Sequence, residues 1–276
     1  MNIHTRSILP ALVLTTLAGA APAIADDDVA ILSDAPDGQL AVRRGLQAPE
    51  GMLTARVTLA MNLSADAVGE PISLAPDIAY GVSDRLQVSL IHDGPMRWQA
   101  RPGLGLCLTG SDGGCPRVYD NVGLDVMYGL VFGSQLHVSA HGGLLLTSFD
   151  PVATMLPIGV AAKLHLGDAM AVTVDPQLGF ALSDRDVNAD VLFLPIDVSF
   201  QVGVPTTLKL LTGVVGPLDG FGDAYQAPLG VGVVHNVTEH IDVGARFSFD
   251  NLLGQQPPGV DAADARSLAL LLNLRS

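Results

Sequence analysis

Charge is scarce in this 276-residue chain. Asp, Glu, Lys and Arg together make up 15% of it, against roughly 25% in ordinary soluble domains. Lysine is nearly missing, since Lys163 and Lys209 are the only two. A soluble protein of this size covers itself with lysine and glutamate, so a chain this poor in both does not present its whole surface to water. Aromatic residues are few as well, at 5%, and Trp98 is the only tryptophan. Hydrophobic residues make up 49%, yet no stretch approaches the ~20 consecutive apolar residues of a membrane helix, which excludes helical spans. The 14 basic residues face 28 acidic ones, and this imbalance excludes nucleic acid and anionic surfaces as partners. There is no phosphate loop, HExxH pair or nucleophile elbow, so no cofactor, metal or catalytic centre is expected.

The N-terminus carries an export pattern. "MNIHTRS" holds Arg6 and no acid, an apolar run follows from Ile8 to about Ala21, and "AIA" at Ala23–Ala25 is a small-x-small cleavage site. Residues 1–25 are therefore predicted to be a cleaved signal peptide. The two cysteines, Cys107 and Cys115, lie close together in "GLCLTGSDGGCP". In an exported protein such a pair is expected to form a disulfide, and a metal site would need further ligands nearby.

From Met52 onward the dominant period is two. In "LTARVTLAMNL", Leu53, Ala55, Val57, Leu59, Met61 and Leu63 share one face, and Thr54, Arg56, Thr58, Ala60 and Asn62 the other. That is a strand with one apolar side, of the ~9–11 residues that a tilted strand needs to cross a bilayer. The pattern recurs to the C-terminus, for example in Leu86, Val88 and Leu90 against Arg85, Gln87 and Ser89, and in Ile241, Val243, Ala245 and Phe247 against Asp242, Gly244 and Arg246. The connections alternate between two kinds. Tight turns such as "GVSD", "VFGS" and "GVPT" alternate with longer segments: 64–70, 93–120, 147–154, 181–190, 214–224 and 250–266. Short turns at one end and long loops at the other mark a transmembrane barrel. The prediction is an all-β fold: a transmembrane antiparallel up-and-down β-barrel of about 12 strands, with 10–14 as the range. It would occupy residues 52–276, after a periplasmic N-terminal segment at 26–51. Two octets, "GVSDRLQV" from Gly81 and "NVTEHIDV" from Asn236, share one pattern and read as the same tight reversal used twice.

Alternation alone does not say which face points inward. The polar faces hold glycine, alanine, serine, threonine and scattered charges, too little lysine and glutamate for a soluble exterior. Twelve strands also enclose more space than the eight whose side chains just fill a barrel. The aliphatic faces are thus assigned to lipid. Closure follows, because no water pairs with backbone groups in a bilayer core. Pro176 and Pro195 fall within strands, where each removes a ladder donor, and are expected to mark bulges or a rim.

The stretch "YGVSDRLQVSL" resembles the hairpins of bacterial outer-membrane porin-like barrels, with a Tyr-Gly before a short turn and an Asp-Arg-aliphatic strand start. The resemblance extends by pattern over Met52–Ser276. It implies the outer membrane of a diderm bacterium, surrounding lipid, insertion by the barrel-assembly machinery, and passive transport. The chain departs from that pattern at its end, Leu274-Arg275-Ser276, where such proteins carry an aromatic residue.

Phase places Arg56, Asp77, Arg85, Asp125, His137, His141, Lys163, His165, Asp175, Asp197, Lys209, Asp242, Arg246 and Arg275 on the lumen side. The two signs nearly balance, so these groups either pair across the lumen or tune a polar pore. The primary functional expectation is a porin-like passive channel for small hydrophilic solutes, not an enzyme. The alternatives are a structural or surface-interaction barrel with an occluded lumen and, suggested by His137-x-Ser139, an outer-membrane lipid-modifying enzyme. Segment 26–51 either plugs the lumen or hangs in the periplasm, and its Arg43-Arg44 pair could reach lumen acids. Loop 93–120 either folds into the mouth or caps the outside.

Overall fold

The computed structural model describes residues 41–64, 66–92, 102–185, 188–256 and 261–276. The expected signal peptide, most of segment 26–51 and Trp98 lie outside the described residues.

Alternating side chains dictate strands, and strands with one apolar face close on themselves. The elements are β1 (Leu53–Asn62), β2 (Ile72–Ser83), β3 (Leu86–Ile91), β4 (Gly105–Cys107), β5 (Tyr119–Asp120), β6 (Val122–Phe132), β7 (Leu136–Phe149), β8 (Val152–His165), β9 (Met170–Val174), β10 (Gln177–Ala181), β11 (Val191–Gln201), β12 (Thr206–Pro217), β13 (Leu229–Thr238), β14 (Ile241–Phe249) and β15 (Arg266–Arg275). A single helical turn, α1 (Phe221–Ala224), sits between β12 and β13. Each barrel strand pairs antiparallel with its neighbours in the chain, and β1 pairs with both β2 and β15. This last pairing, Thr54 opposite Arg275 through Asn62 opposite Ser267, closes the sheet. The result is a closed barrel of 12 antiparallel strands, with β9 and β10 forming one of them.

That strand is interrupted at Asp175-Pro176, but the wall is not. The amide of Val160 donates to the Pro176 carbonyl and that of Asp175 to the Pro195 carbonyl, both at 3.1 Å. Strand β3 is short, and β4 continues its place in the wall: β2 pairs with β3 from Ile78 to Ser83 and with β4 at Ser73 and Leu74. The 93–120 connection therefore supplies part of the wall through β4, which pairs in turn with β5. The disulfide Cys107–Cys115 ties the end of β4 to the next turn of this loop. One connection is tighter than its sequence suggests. β7 runs to Phe149 and β8 starts at Val152, so the expected 147–154 loop is a reversal at Asp150-Pro151.

The two faces invert the usual order of a soluble protein. Ile78, Leu124, Leu144, Ile158, Leu210, Val231 and Leu270 are exposed on the outside. Thr58, Asp77, Asp125, His141, Lys163, Asp242 and Arg246 are buried inside. An aliphatic exterior of this extent is unfavourable in water at roughly 25 cal/mol per Å² and far exceeds the patches tolerated on monomeric soluble proteins.

Candidate functional site

The lumen is built from inward residues that sequence alternation puts in phase, and its charges are brought together in sets. Arg56 and Asp77 stand opposite each other on β1 and β2 and form an ion pair. Asp77 also accepts the amide of His92 at 2.7 Å. His141 on β7 bridges two acids, with Nδ1 3.2 Å from Asp125 and Nε2 2.7 Å from Asp175. Gln177 donates to the second Asp175 oxygen at 2.8 Å. Lys209 pairs with Asp197 at 2.7 Å, and Ser199 donates to the same carboxylate at 2.6 Å. Such pairing satisfies buried charge that would otherwise carry a large desolvation penalty.

Asp242 on β14 is the most enclosed acid of the set, with no exposed side-chain surface. Arg275 of β15 pairs with it, and Asn236 of β13 donates to it at 2.6 Å. A third partner comes from outside the barrel sequence: Arg44 grips both carboxylate oxygens, at 2.6 and 3.1 Å.

Arg44 belongs to residues 41–51, which cross the short-turn mouth. Gly51, at φ +76°, turns the chain back from β1 in a conformation that glycine adopts without strain. From there Ala48 donates its amide to Gln87 at 2.7 Å, Gln47 donates to the Ser139 hydroxyl at 2.8 Å, and Lys163 donates to the Arg44 carbonyl at 2.7 Å. Arg43 pairs at 2.9 Å with Asp168 in the turn after β8.

Beyond this segment lies a chamber of about 430 Å³. Its lining includes Gly45 and Leu46 of the crossing segment, the charged Arg56, Lys163, Asp175, Asp197, Lys209 and Arg246, and the apolar Met127, Leu211 and Leu271. Toward the long loops lies a buried apolar cluster of Phe193, Leu211 and Val215, packed against Met155 and Val191. These inward apolar residues were not singled out in the sequence. The signal was there, because Met127 is in phase with Asp125, and Leu211 with Lys209.

Of the remaining predicted lumen residues, His137 and His165 are buried side by side, with ring centroids 5.3 Å apart. His141 is drawn instead to its two aspartates, and among the described residues no group of three metal-ligating side chains converges. Arg85 stands on the turn between β2 and β3 rather than on the wall, with its guanidinium 5.4 Å from the Phe132 ring centre. Ser139, half of the pair behind the lipid-enzyme expectation, faces inward near the short turns and is buried.

No family model matches the chain, and no curated protein matches its sequence. Solved structures do match its fold. The NanC porin aligns with a TM-score of 0.56 and 10% identity, covering 80% of this chain and 98% of that one. The KdgM porin aligns at 0.52 and 8% identity, covering 80% and 98%, and has also been solved with disordered oligogalacturonate. An outer-membrane channel from Pseudomonas putida F1 aligns at 0.51 and 12% identity, covering 83% and 97%. The likeness lies in the closed 12-strand barrel.

Proposed function

We propose that the protein is an outer-membrane, porin-like channel through which small hydrophilic solutes pass passively. The observation that carries this reading is the inversion of polarity. An aliphatic exterior suits hydrocarbon, while a charged, hydrogen-bonded lumen with a chamber suits water and polar solutes. The solved barrels of the same fold are named as porins and as an outer-membrane channel, which agrees with it. Short turns then lie in the periplasm and long loops outside, and the barrel-assembly machinery and membrane lipid are its partners. The bore of 12 strands is narrower than that of 16- to 18-stranded porins, which limits cargo to small solutes. In this reading no residue is catalytic, and the lumen charges act by position and sign.

The test is single-channel current across planar bilayers, with folding checked by the mobility difference between boiled and unboiled samples. Stepwise ion current from folded protein is expected. The second reading, an occluded barrel whose loops act outside, is favoured by the crossing of residues 41–51. It would be established if folded barrel stayed silent even with that segment displaced.

A further inference from the structure

Residues 41–51 make an unusual set of contacts for a chain leaving a barrel. They enter at Gly51 beside Gly81 of β2, touch Gln87 on β3, Ser139 on β7 and Lys163 on β8, reach Asp242 on β14 through Arg44, and end at the rim on Asp168. Rim to rim, this traverses the mouth. The wall is shaped to receive the segment: a Cβ on Gly81 would lie 1.9 Å from the Pro49 carbonyl oxygen and 2.6 Å from that of Ala48. Val42 is fully buried there.

The hold is of a releasable kind. At its root the Gly51 amide donates to the Gly81 carbonyl of β2 at 2.8 Å, but residues 41–50 belong to no strand of the sheet. The segment is retained by side-chain bonds and a few amides, each of which water or a solute can replace. Its withdrawal leaves the Lys163 ammonium, bonded to the Ala41 and Arg44 carbonyls at 3.4 and 2.7 Å, to lumen water, but the acid it grips is not stranded. Asp242 keeps Arg275 and Asn236, and Gln87 keeps the Ser89 hydroxyl that it donates to at 2.9 Å. Asp242 and Gln87, satisfied in both states, thus add little to the cost of the switch.

We propose that the short-turn mouth is a binding site for the chain's own residues 41–51, which act as a resident gate, so that solute passes only when the segment leaves. This rests on the channel reading above and adds to it where the passage closes and what closes it. The chamber then lies behind the gate, with Gly45 and Leu46 in its lining.

Two variants of the full chain test it. Arg44→Ala removes the grip on Asp242 from the segment's side. Gly81→Ala acts from the wall, by filling the space that Pro49 needs, so misfolding of one variant leaves the other. Two readouts are taken: the fraction of time spent conducting in planar bilayers, and the rate of tryptic cleavage at Arg43, the site that both variants keep, which reports whether the segment is out. Expected is a conducting fraction raised by roughly 10-fold or more, with faster cleavage in step. Native protein that conducts as freely as both variants overturns the gate and leaves the channel standing. Cleavage unchanged in both folded variants also overturns the gate. Faster cleavage without current overturns the channel reading, because the segment has left and nothing passes.

Discussion

Asp242 concentrates the energetics of the lumen in one residue. It is fully enclosed, and its ion-pair partner Arg275 is 11% exposed. Deleting one member of so buried a pair leaves the other charge unpaired and costs about 3–5 kcal/mol. Asp242→Ala is expected to lower the unfolding free energy of the barrel in urea by that amount, followed by the loss of the fast-migrating unboiled band. Arg44→Ala is expected to cost far less, because the carboxylate keeps two partners. Equal losses in the two variants would mean that Arg275 and Asn236 do not suffice to hold Asp242. Phase in the sequence already put Asp242, Arg246 and Arg275 on the inner face. It did not say which cation meets which acid. Arg44 and Asp242 are separated by 198 positions, and only the closure of β1 on β15 brings them together.

The repeated octets show how much local pattern determines at the scale of elements. In both turns the pairing register slips by one residue, between Gly81 and Ser83 and between Asn236 and Thr238. The bulged residues, Val82 and Val237, occupy the same place in each octet and are exposed. In both, the following hydroxyl caps the reversal: Ser83 accepts the Arg85 amide at 3.3 Å and Thr238 the His240 amide at 3.2 Å. One sequence solution thus gives one bulged turn, twice. Strand count, turn side and outward faces follow from the same alternation. What alternation does not carry is non-local compensation. The wall survives Pro176 because neighbouring carbonyls still receive amides, and it survives the shortness of β3 because β4 returns from a distant loop to fill its place. Adjacent residues on β12 test the two faces. Leu210 is 41% exposed and Leu211 is 2% exposed. Leu210→Arg is expected to cost about 2–4 kcal/mol of folding into a bilayer if it lies near the midplane. Leu211→Ala, which empties space beside Phe193 and Val215, is expected to cost about 2–5 kcal/mol in detergent and bilayer alike. The discriminating result is the dependence on bilayer thickness, present for the first and absent for the second. Reducing the Cys107–Cys115 bond, which closes a span of only 8 positions, is expected to speed tryptic cleavage at Arg117 while leaving the mobility of the unboiled barrel unchanged.

Orientation is a property of the whole molecule, and it sets what the lumen and its crossing segment face. Five short reversals fall at one end, together with the start of β1, the end of β15 and residues 41–51, and the reversal at Asp150-Pro151 falls at the other. The other end carries the connections 92–121, 182–190 and 250–265, with the disulfide. Outer-membrane barrels keep their short turns in the periplasm and their longer loops outside. Acidic residues outnumber basic ones two to one in the chain, yet the lumen charges nearly balance, so the excess acid lies largely outside the passage. An epitope inserted beside Asp261 in the β14–β15 loop is therefore expected to bind antibody on intact cells. The same epitope beside Asp168 in the β8–β9 turn is expected to bind only after the outer membrane is opened. The reverse pattern would turn the barrel over and expose Arg43, Arg44 and the short-turn mouth to the medium. Solute would then meet the crossing segment before the chamber, and the segment would guard entry from outside rather than exit to the periplasm.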